Sequence, residues 1–297
     1  MKQFALNLPL NAVSFGQISI NLLREAFKKG LEPSIFPIGG AIDLRSEEPD
    51  EPLSEWINAN IQKSIRIHNR ETPIIKLWHL NGSLESFSNK QVLFSFYELD
   101  SPTEEELNIG RNNNLVFSSN YTCEVFRNAG VDCSFVPLGF DEVNFRNTGK
   151  QYFNDERITF NIVGKFEKRK HHEKVIKAWA KEFGNNTKYF LQCALYNKFL
   201  KPEQNNAAIA KTLENKRYPN IQFLNFMEKN TMYNDYLNAA DIILGMSGGE
   251  GWGLPEFHSV GLGKHAVILN AHAYKDWANK DNSVLVEPTG KIPAYDD

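Results

Sequence analysis

Short apolar segments alternate with longer amphipathic segments along most of the chain. In the first half, runs of four to seven mostly apolar residues predict strands. These are residues 4–8, 34–38, 74–80, 92–97, 115–118 and 134–138. Apolar residues at helical spacing predict helices over residues 18–29 and 121–128, and a glycine soon after each one provides a helix stop. The charged segment 41–71 shows no clear period.

The second half repeats this alternation of strands and helices. Predicted strands are residues 158–163, 188–193, 221–224, 241–244, 266–269 and 284–286. Predicted helices are residues 171–183, 203–216, 231–239 and 254–262. Repeated strand–helix–strand units favour parallel sheets covered by helices. We therefore expect an α/β protein with two doubly wound Rossmann-like domains facing a cleft, and the polar stretch 141–156 as the linker. We place the domains at residues 1–145 and 146–297.

Composition narrows the class of protein. A chain of 297 residues, 41% hydrophobic and 23% charged, is typical of a globular protein with two domains of ordinary size. The net charge of -3 gives no general attraction to nucleic acid. Three cysteines indicate free thiols in a reducing compartment rather than a disulfide framework. Without a signal-like start or a transmembrane-length apolar run, we predict a cytoplasmic protein, and contact with a membrane surface is left open.

The segment 247–256, SGGEGWGLPE, follows the predicted strand 241–244 and opens the predicted helix 254–262. Its glycines let a ligand approach the backbone, and a helix N-terminus favours an anion. The carboxylate of Glu250 suits hydroxyl groups rather than a bare phosphate. The segment therefore predicts a ligand with both an anionic part and hydroxyls. The plainer alternative is a tight connection whose glycines only permit packing.

A basic segment, GKFEKRK at residues 164–170, follows another predicted strand and precedes a helix. Gly164 allows a sharp turn, and Lys165, Arg169 and Lys170 supply cations suited to a diphosphate. A solvated basic loop is the alternative. In doubly wound folds ligands bind beyond the carboxyl ends of strands, where both segments are expected.

The first half offers weaker candidates. Residues 14–17, SFGQ, are expected to form a loop between the first strand and the first helix, where Gly16 could bring backbone amides to a ligand; an ordinary helix-entry loop is the alternative. His79 lies at the end of the predicted strand 74–80 and Glu98 follows the next one; a hydrogen-bonded structural role is the alternative to a functional role for His79. Adjacent His171 and His172 would diverge by about 100° on a helix, so they do not predict a metal site.

Together these residues resemble the retaining, nucleotide-sugar-dependent glycosyltransferases of family 4, which have the GT-B fold. The family's E-G-F-G-L-P-x-x-E stands here as EGWGLPEFH at residues 250–258, with Ser247 at the matching serine. PLGFD at 137–141 resembles the family's entry to the linker, and FLNFM at 223–227 resembles its F-L-G-F-V. The likeness runs through the second half and is thinner in the first.

This resemblance implies a role for each matching residue. Lys165 and Lys170 would hold the donor diphosphate and stabilise the leaving group, Glu250 would contact the donor sugar, and His79 would face the sugar or acceptor. The other positions implied in donor binding are Gly16, Gly164, Arg169, Phe226, Met227, Ser247, Gly251, Trp252, Gly253, Leu254 and His258. Similar enzymes need no metal, and we expect none here, because lysine and arginine cations would do that work.

Three departures from the family pattern stand out. His258 replaces the second acid, which would bind ribose hydroxyls, and Lys165 replaces an arginine. Glu256 is two residues from His258, so on a helix it should point elsewhere. The chain also ends at Asp297, soon after the last predicted strand, so we expect the family's C-terminal closing helices to be short or absent.

The leading hypothesis is a retaining glycosyltransferase that moves a sugar from a UDP- or GDP-linked donor to a glycan, lipid or other acceptor. One alternative is a nucleotide-sugar-binding protein or assembly subunit without transfer activity. A further alternative keeps the fold but changes the reaction to that of an epimerase or a phosphorylase.

Overall fold

A computed structural model describes residues 3–197 and 199–294. The chain divides into two compact units between Gly139 and Phe140, rather than between residues 145 and 146 where we drew the boundary. The reason is that Phe140 and Phe145 pack in an apolar cluster of the second unit, with Tyr236 and Leu262.

The first unit contains one parallel sheet. Its strands are β1 Ala5–Leu10, β2 Ser34–Ile42, β3 Ile74–Leu77, β4 Gln91–Ser95, β5 Asn114–Phe117 and β6 Cys133–Phe135. They lie in the order β2-β1-β3-β4-β5-β6. Because β1 has β2 on one side and β3 on the other, the chain changes winding direction between β1 and β3. Such a switch point leaves a crevice at the carboxyl ends of the strands.

Four helices cover this sheet: α1 Ser14–Lys28, α2 Glu51–Ile67, α3 Glu104–Arg111 and α4 Asn120–Asn128. Two of them were not predicted. Helix α2 lies in the segment that showed no period and buries only Leu53, Ile57 and two polar residues. Helix α3 has eight residues, and its signal was local, a capping box between Thr103 and Glu106.

The second unit contains a second parallel sheet. Its strands are β7 Ile158–Val163, β8 Tyr189–Ala194, β9 Ile221–Phe223, β10 Ile242–Gly245, β11 His265–Leu269 and β12 Val284–Val286. Their order is β12-β11-β10-β7-β8-β9, so the switch point falls between β7 and β10. All twelve strands correspond to strands predicted from the apolar pattern.

The helices of the second unit are α5 His172–Phe183, α6 Pro202–Thr212, α7 Asn230–Ala239, α8 Leu254–Gly261 and a 3₁₀ helix, His272–Asp276. Helix α5 shows why they form: Ile176 and Trp179 are buried in one cluster with Leu191 of β8, while lysines occupy its outer face. The 3₁₀ helix was not predicted.

The three cysteines are free thiols and are buried, as expected. In the part of the chain that the structure describes, no helix combines the length and apolar character needed to span a membrane.

Candidate functional site

Two loops leave the same edge of the second sheet at its switch point. The basic loop (residues 164–171) follows β7, and the glycine-rich loop (residues 246–253) follows β10. Since β7 and β10 are neighbours and parallel, their carboxyl ends place the two loops side by side. This is the position at which doubly wound folds bind ligands.

The backbones of the two loops are tied directly to each other. The Gly248 amide donates a hydrogen bond of 2.8 Å to the Arg169 carbonyl. The His171 Nδ1 atom donates to the Met246 carbonyl at 3.0 Å. Gly248 is required for this approach, because a Cβ there would lie 2.9 Å from His171 Cε1 and 3.1 Å from the Arg169 carbonyl oxygen.

A histidine from the 3₁₀ helix supports the loop from another direction. The Nε2 atom of His272 donates to the Ser247 carbonyl at 2.8 Å, and His272 has a left-handed φ of 40°. Ser247 itself donates to the Gly249 carbonyl at 2.9 Å. The backbone of the glycine-rich loop is therefore held by its own serine and by side chains of two other segments, which fixes its shape in advance.

The Arg169 side chain is buried between the basic loop and the glycine-rich loop. It is 6% exposed, its guanidinium pairs with Glu167 at 2.7 Å, and it donates to the Gly249 carbonyl. One guanidinium nitrogen is 3.9 Å from the Glu250 carboxylate. Arg169 thus shapes the glycine-rich loop, and its predicted contact with a donor stays a prediction.

Lys170 and Glu250 form a buried ion pair where the loops meet. Their side chains are 13% and 8% exposed. Burial alone would raise the pKa of Glu250, but the charges of Lys170 and Arg169 and the hydrogen bond from Lys170 outweigh it and lower the pKa to about 2. Glu250 is therefore an ionised hydrogen-bond acceptor at neutral pH.

The glycine-rich loop ends at Gly253, which has φ +81° and caps α8. A Cβ at Gly253 would lie 2.2 Å from Cε1 of Tyr274, so only glycine fits. Pro255 occupies the first turn of α8, where its missing N–H costs nothing. Trp252 is 5% exposed, and its carbonyl accepts a hydrogen bond of 2.8 Å from Trp277 Nε1.

His258 is buried rather than presented at the surface. Its ring stacks on Phe145 with centroids 3.9 Å apart and an interplanar angle of 23°. Burial lowers the pKa of His258 to about 4 against the opposing influence of Asp141, so the imidazole is neutral at pH 7. The predicted ribose contact of His258 stays a prediction.

The sequence did not single out Glu256, Glu167, His272 or Tyr274 as parts of this site. Glu256 is 5% exposed, and burial followed by the charge of Glu250 raises its pKa to about 8. Nothing in the motif marked Glu256, because its neighbours Gly245, Gly253 and Tyr274 come from three separate segments.

The remaining predicted residues of the second unit are more dispersed. Lys165 pairs with Glu167 at 3.3 Å, with its ammonium 5.5 Å from the centre of the exposed Phe199 ring. Gly164 has φ +125° and packs against the Lys170 side chain. Phe226 and Met227 follow β9, which is separated from β7 by β8.

In the first unit, Gly16 and His79 lie at that unit's own switch point, after β1 and β3. Residues 14–17 form the first turn of α1 and not a loop, which corrects our expectation. A Cβ on Gly16 would lie 1.9 Å from the Asn11 carbonyl oxygen, so this glycine allows close packing. His79 is exposed, and its ring centroid is 4.5 Å from that of Phe15.

Comparison with solved structures identifies proteins of similar fold. No protein-family model and no curated protein matches the chain. Sucrose-phosphate synthase from Thermosynechococcus elongatus matches over 98% of this chain and 87% of its own, at 15% identity and a TM-score of 0.71. A glycosyltransferase from Rickettsia africae matches over 98% and 86%, at 13% identity and a TM-score of 0.68. Anabaena HepE in complex with UDP matches over 97% and 86%, at 15% identity and a TM-score of 0.61.

The chain has the GT-B fold. The predicted fold class is thereby confirmed, with two parallel sheets of six strands each. At identities of 13 to 15%, structural similarity shows the GT-B fold but not the family or the roles of individual residues. Membership of family 4 and the role of each site residue therefore stay predictions. Within residues 3–197 and 199–294, no three histidine, cysteine or acidic side chains gather as metal ligands would.

Proposed function

We propose that this protein is a retaining glycosyltransferase that moves a sugar from a UDP- or GDP-linked donor to an acceptor without a metal ion. The observation that carries the proposal is the buried pair of Lys170 and Glu250 at the switch point of the second unit. It combines a cation for a diphosphate with an ionised acceptor for sugar hydroxyls, in a loop that ends at a helix N-terminus.

Lys170 would act on the leaving group. A lysine ammonium has three N–H donors, so Lys170 can keep its bond to Glu250 while it donates to a phosphate oxygen. As the bond between sugar and diphosphate breaks, negative charge grows on the phosphate, and a fixed cation stabilises that charge. Lys165 and the backbone amides at the start of α8 would add to this stabilisation.

Glu250 would orient the donor sugar. Hydrogen bonds from hydroxyls to an ionised carboxylate are roughly twice as strong as those between neutral groups. Lys170 and Arg169 keep Glu250 ionised, so the carboxylate can accept hydrogen bonds from hydroxyls, and their positive charges offset its repulsion of a nearby diphosphate. His79 in the first unit is our candidate for contact with the sugar or the acceptor.

The names of proteins with this fold support the choice of ligands. One structure is a UDP-forming trehalose-phosphate synthase from Burkholderia xenovorans, at 11% identity and a TM-score of 0.65, and HepE was solved with UDP. We therefore propose UDP as the first nucleotide to test and a sugar or glycan as the first class of acceptor.

The experiment is thermal melting with UDP, GDP, ADP and their sugar conjugates, with and without excess chelator, followed by product analysis. A ligand that binds the folded state raises the melting temperature. We expect one nucleotide to do so in chelator, and its sugar conjugate to yield a transfer product with the anomeric configuration retained. The absence of any shift would reject a donor site, and an inverted product would reject retention.

A donor-binding protein without transfer activity is the second candidate. The observation that favours it is His258, whose ring is stacked on Phe145 at the position where similar enzymes have an acid. This candidate predicts a melting shift with neither transfer nor donor hydrolysis, so measured turnover would eliminate it.

A further inference from the structure

Glu256 lies beneath the glycine-rich loop in space left by two glycines. A Cβ on Gly245 would lie 2.6 Å from Glu256 Cγ, and a Cβ on Gly253 would lie 3.3 Å from Glu256 Oε2. The residue is 5% exposed, and its Oε2 atom has no hydrogen-bond partner among the described residues. The buried hydroxyl of Tyr274, which also lies against Gly253, forms no hydrogen bond of normal geometry with the described residues, but it faces Glu256, and this interaction lowers the pKa of Glu256.

The groups that face Glu256 come from four segments. They are Glu250 in the glycine-rich loop, Lys170 in the basic loop, Tyr233 in α7 and Tyr274 in the 3₁₀ helix. Lys170 is already bonded to Glu250. An ionised Glu256 would therefore be a second buried negative charge beside Glu250, which is a costly arrangement.

The electrostatics of the pair agree with this geometry. Burial and the charge of Glu250 raise the pKa of Glu256, and they outweigh the lowering influence of Lys170, of the backbone of Glu256 and of the Tyr274 hydroxyl. At Glu250 the balance is reversed, because Lys170 and Arg169 together overcome burial. The pKa values of these two buried carboxyl groups thus shift in opposite directions, which favours the neutral form of Glu256 and the ionised form of Glu250.

We propose that Glu256 is the neutral member of this carboxyl pair and acts as a positioning residue that does not compete with Glu250 for Lys170. The functional part of this role rests on the proposed glycosyltransferase activity. When Glu256 loses its proton, a second carboxylate competes for Lys170 and draws it from the position in which it meets a diphosphate. The donor site is then weakened at alkaline pH.

The protonation of Glu256 can be tested without any ligand. The melting temperatures of the wild type, Glu256→Gln and Glu203→Gln are compared from pH 5 to pH 9; Glu203 is an exposed glutamate of the same unit. A carboxyl group with a raised pKa in the folded state costs stability as pH rises through that pKa, and glutamine has no such loss. We expect Glu256→Gln to melt like the wild type at pH 5 and higher than it at pH 9, while Glu203→Gln follows the wild type throughout.

A melting difference that is the same at every pH would overturn the proposal. Infrared difference spectra of the wild type provide a second measurement that does not depend on how the variant folds. We expect the carbonyl band of a protonated carboxyl group at pH 7, which disappears towards pH 9. If the wild type shows no such band at neutral pH, Glu256 is ionised and the proposal is wrong.

The positioning role is tested by UDP affinity against pH. The pKa of Glu256 is about 8, so between neutral pH and pH 9 the fraction of neutral Glu256 should fall about tenfold. The affinity of the wild type for UDP should fall by about the same factor. The affinity of Glu256→Gln should fall much less. An equal alkaline fall in both proteins would assign the loss to Lys170 or another group and overturn the positioning role. If UDP and GDP bind at no pH, the proposed function fails, while melting and infrared spectra still decide the protonation of Glu256.

Discussion

The two units of this protein share one architecture but differ in the chemistry at their switch points. In the first unit the switch point carries aromatic rings: Phe15 packs with Trp78, His79 and Phe96 at centroid distances of 5.9, 4.5 and 4.4 Å. In the second unit the same position carries the buried ion pair of Lys170 and Glu250. Parallel topology supplies an edge for ligand binding in both units, and the side chains decide what each edge can bind.

The difference extends to how the loops are held. In the second unit, side chains of Arg169, His171 and His272 bond to carbonyls of the glycine-rich loop. Buried charges and neutral histidines contribute little or nothing to stability compared with apolar packing. Their concentration at one switch point is consistent with our proposal that the second unit binds a charged donor.

Glu250→Gln should have the largest effect on activity, because it removes the negative charge that distinguishes the second switch point from the first. Glutamine keeps the size of the side chain and can still bond to Lys170, so the fold should survive. We expect turnover to fall about a hundredfold or more, measured as product formed from the sugar nucleotide. Alanine is a poorer test, because it would leave the buried Lys170 without its carboxylate partner at a cost of about 3–5 kcal/mol.

The control for this prediction is Glu203→Gln, an exposed glutamate in α6. We expect it to keep wild-type turnover. Normal turnover in Glu250→Gln would contradict the role of Glu250.

Gly253→Ala should damage stability. Gly253 has a left-handed φ of +81°, and a Cβ added there would overlap Tyr274. Gly263 has nearly the same φ, +82°, but a Cβ added there would have no atom within 4 Å. Gly263→Ala should cost about 1 kcal/mol from backbone strain alone. Gly253→Ala should cost roughly 1–3 kcal/mol more, because it also overpacks the core. Chemical denaturation of both variants measures the difference, and equal losses would show that the contact with Tyr274 is unimportant.

Acid should unfold the second unit through its buried histidines. Burial lowers the pKa of His258 and His272 to about 4 and that of His172 to about 3. An unfolded histidine takes up its proton near pH 6.5, so the unfolded state gains protons first and stability falls as pH drops from about 6.5 to 4.

His258→Phe tests this linkage, because phenylalanine can keep the stack on Phe145 and has no proton to bind. Between pH 7.5 and pH 5 we expect the variant to lose roughly 2 kcal/mol less than the wild type. The exposed His265, changed to Gln, is the control. Parallel pH curves for His258→Phe and the wild type would show that His258 does not contribute to acid sensitivity.

His79→Ala should have the smallest effect on folding. His79 is exposed, so the change in unfolding free energy should stay within about 0.5 kcal/mol. If His79 meets the sugar or the acceptor, KM or kcat will change while the melting temperature does not. Unchanged kinetics would contradict the role proposed for His79.

The strands and most helices could be predicted from the sequence because buried parallel strands are continuous apolar runs. Helix α2 could not, since only four of its 17 residues are buried and two of those four are polar. The start of α1 was placed too late because Ser14 and Gln17 are polar, although Phe15 between them is 6% exposed and packs inward.

The two loops of the site could also be predicted, because glycines, cations and an acid cluster after strands. Their internal geometry could not. The burial of Arg169, the stacking of His258 and the place of Glu256 depend on contacts between segments far apart in sequence, such as Arg169 with Gly249 and Glu256 with Tyr274. No local pattern encodes such contacts.

The central claim is that the second switch point holds a nucleoside diphosphate through Lys170. The most direct measurement is the calorimetric affinity for UDP and GDP of the wild type, Lys170→Gln and Lys188→Gln in the presence of chelator. Lys188 is an exposed lysine that directly precedes β8, at the edge of the sheet opposite to the carboxyl ends that carry the site. We expect one nucleotide to bind the wild type and Lys188→Gln equally, and Lys170→Gln about tenfold or more weakly. Equal affinity in all three proteins, or no binding by the wild type, would contradict the claim.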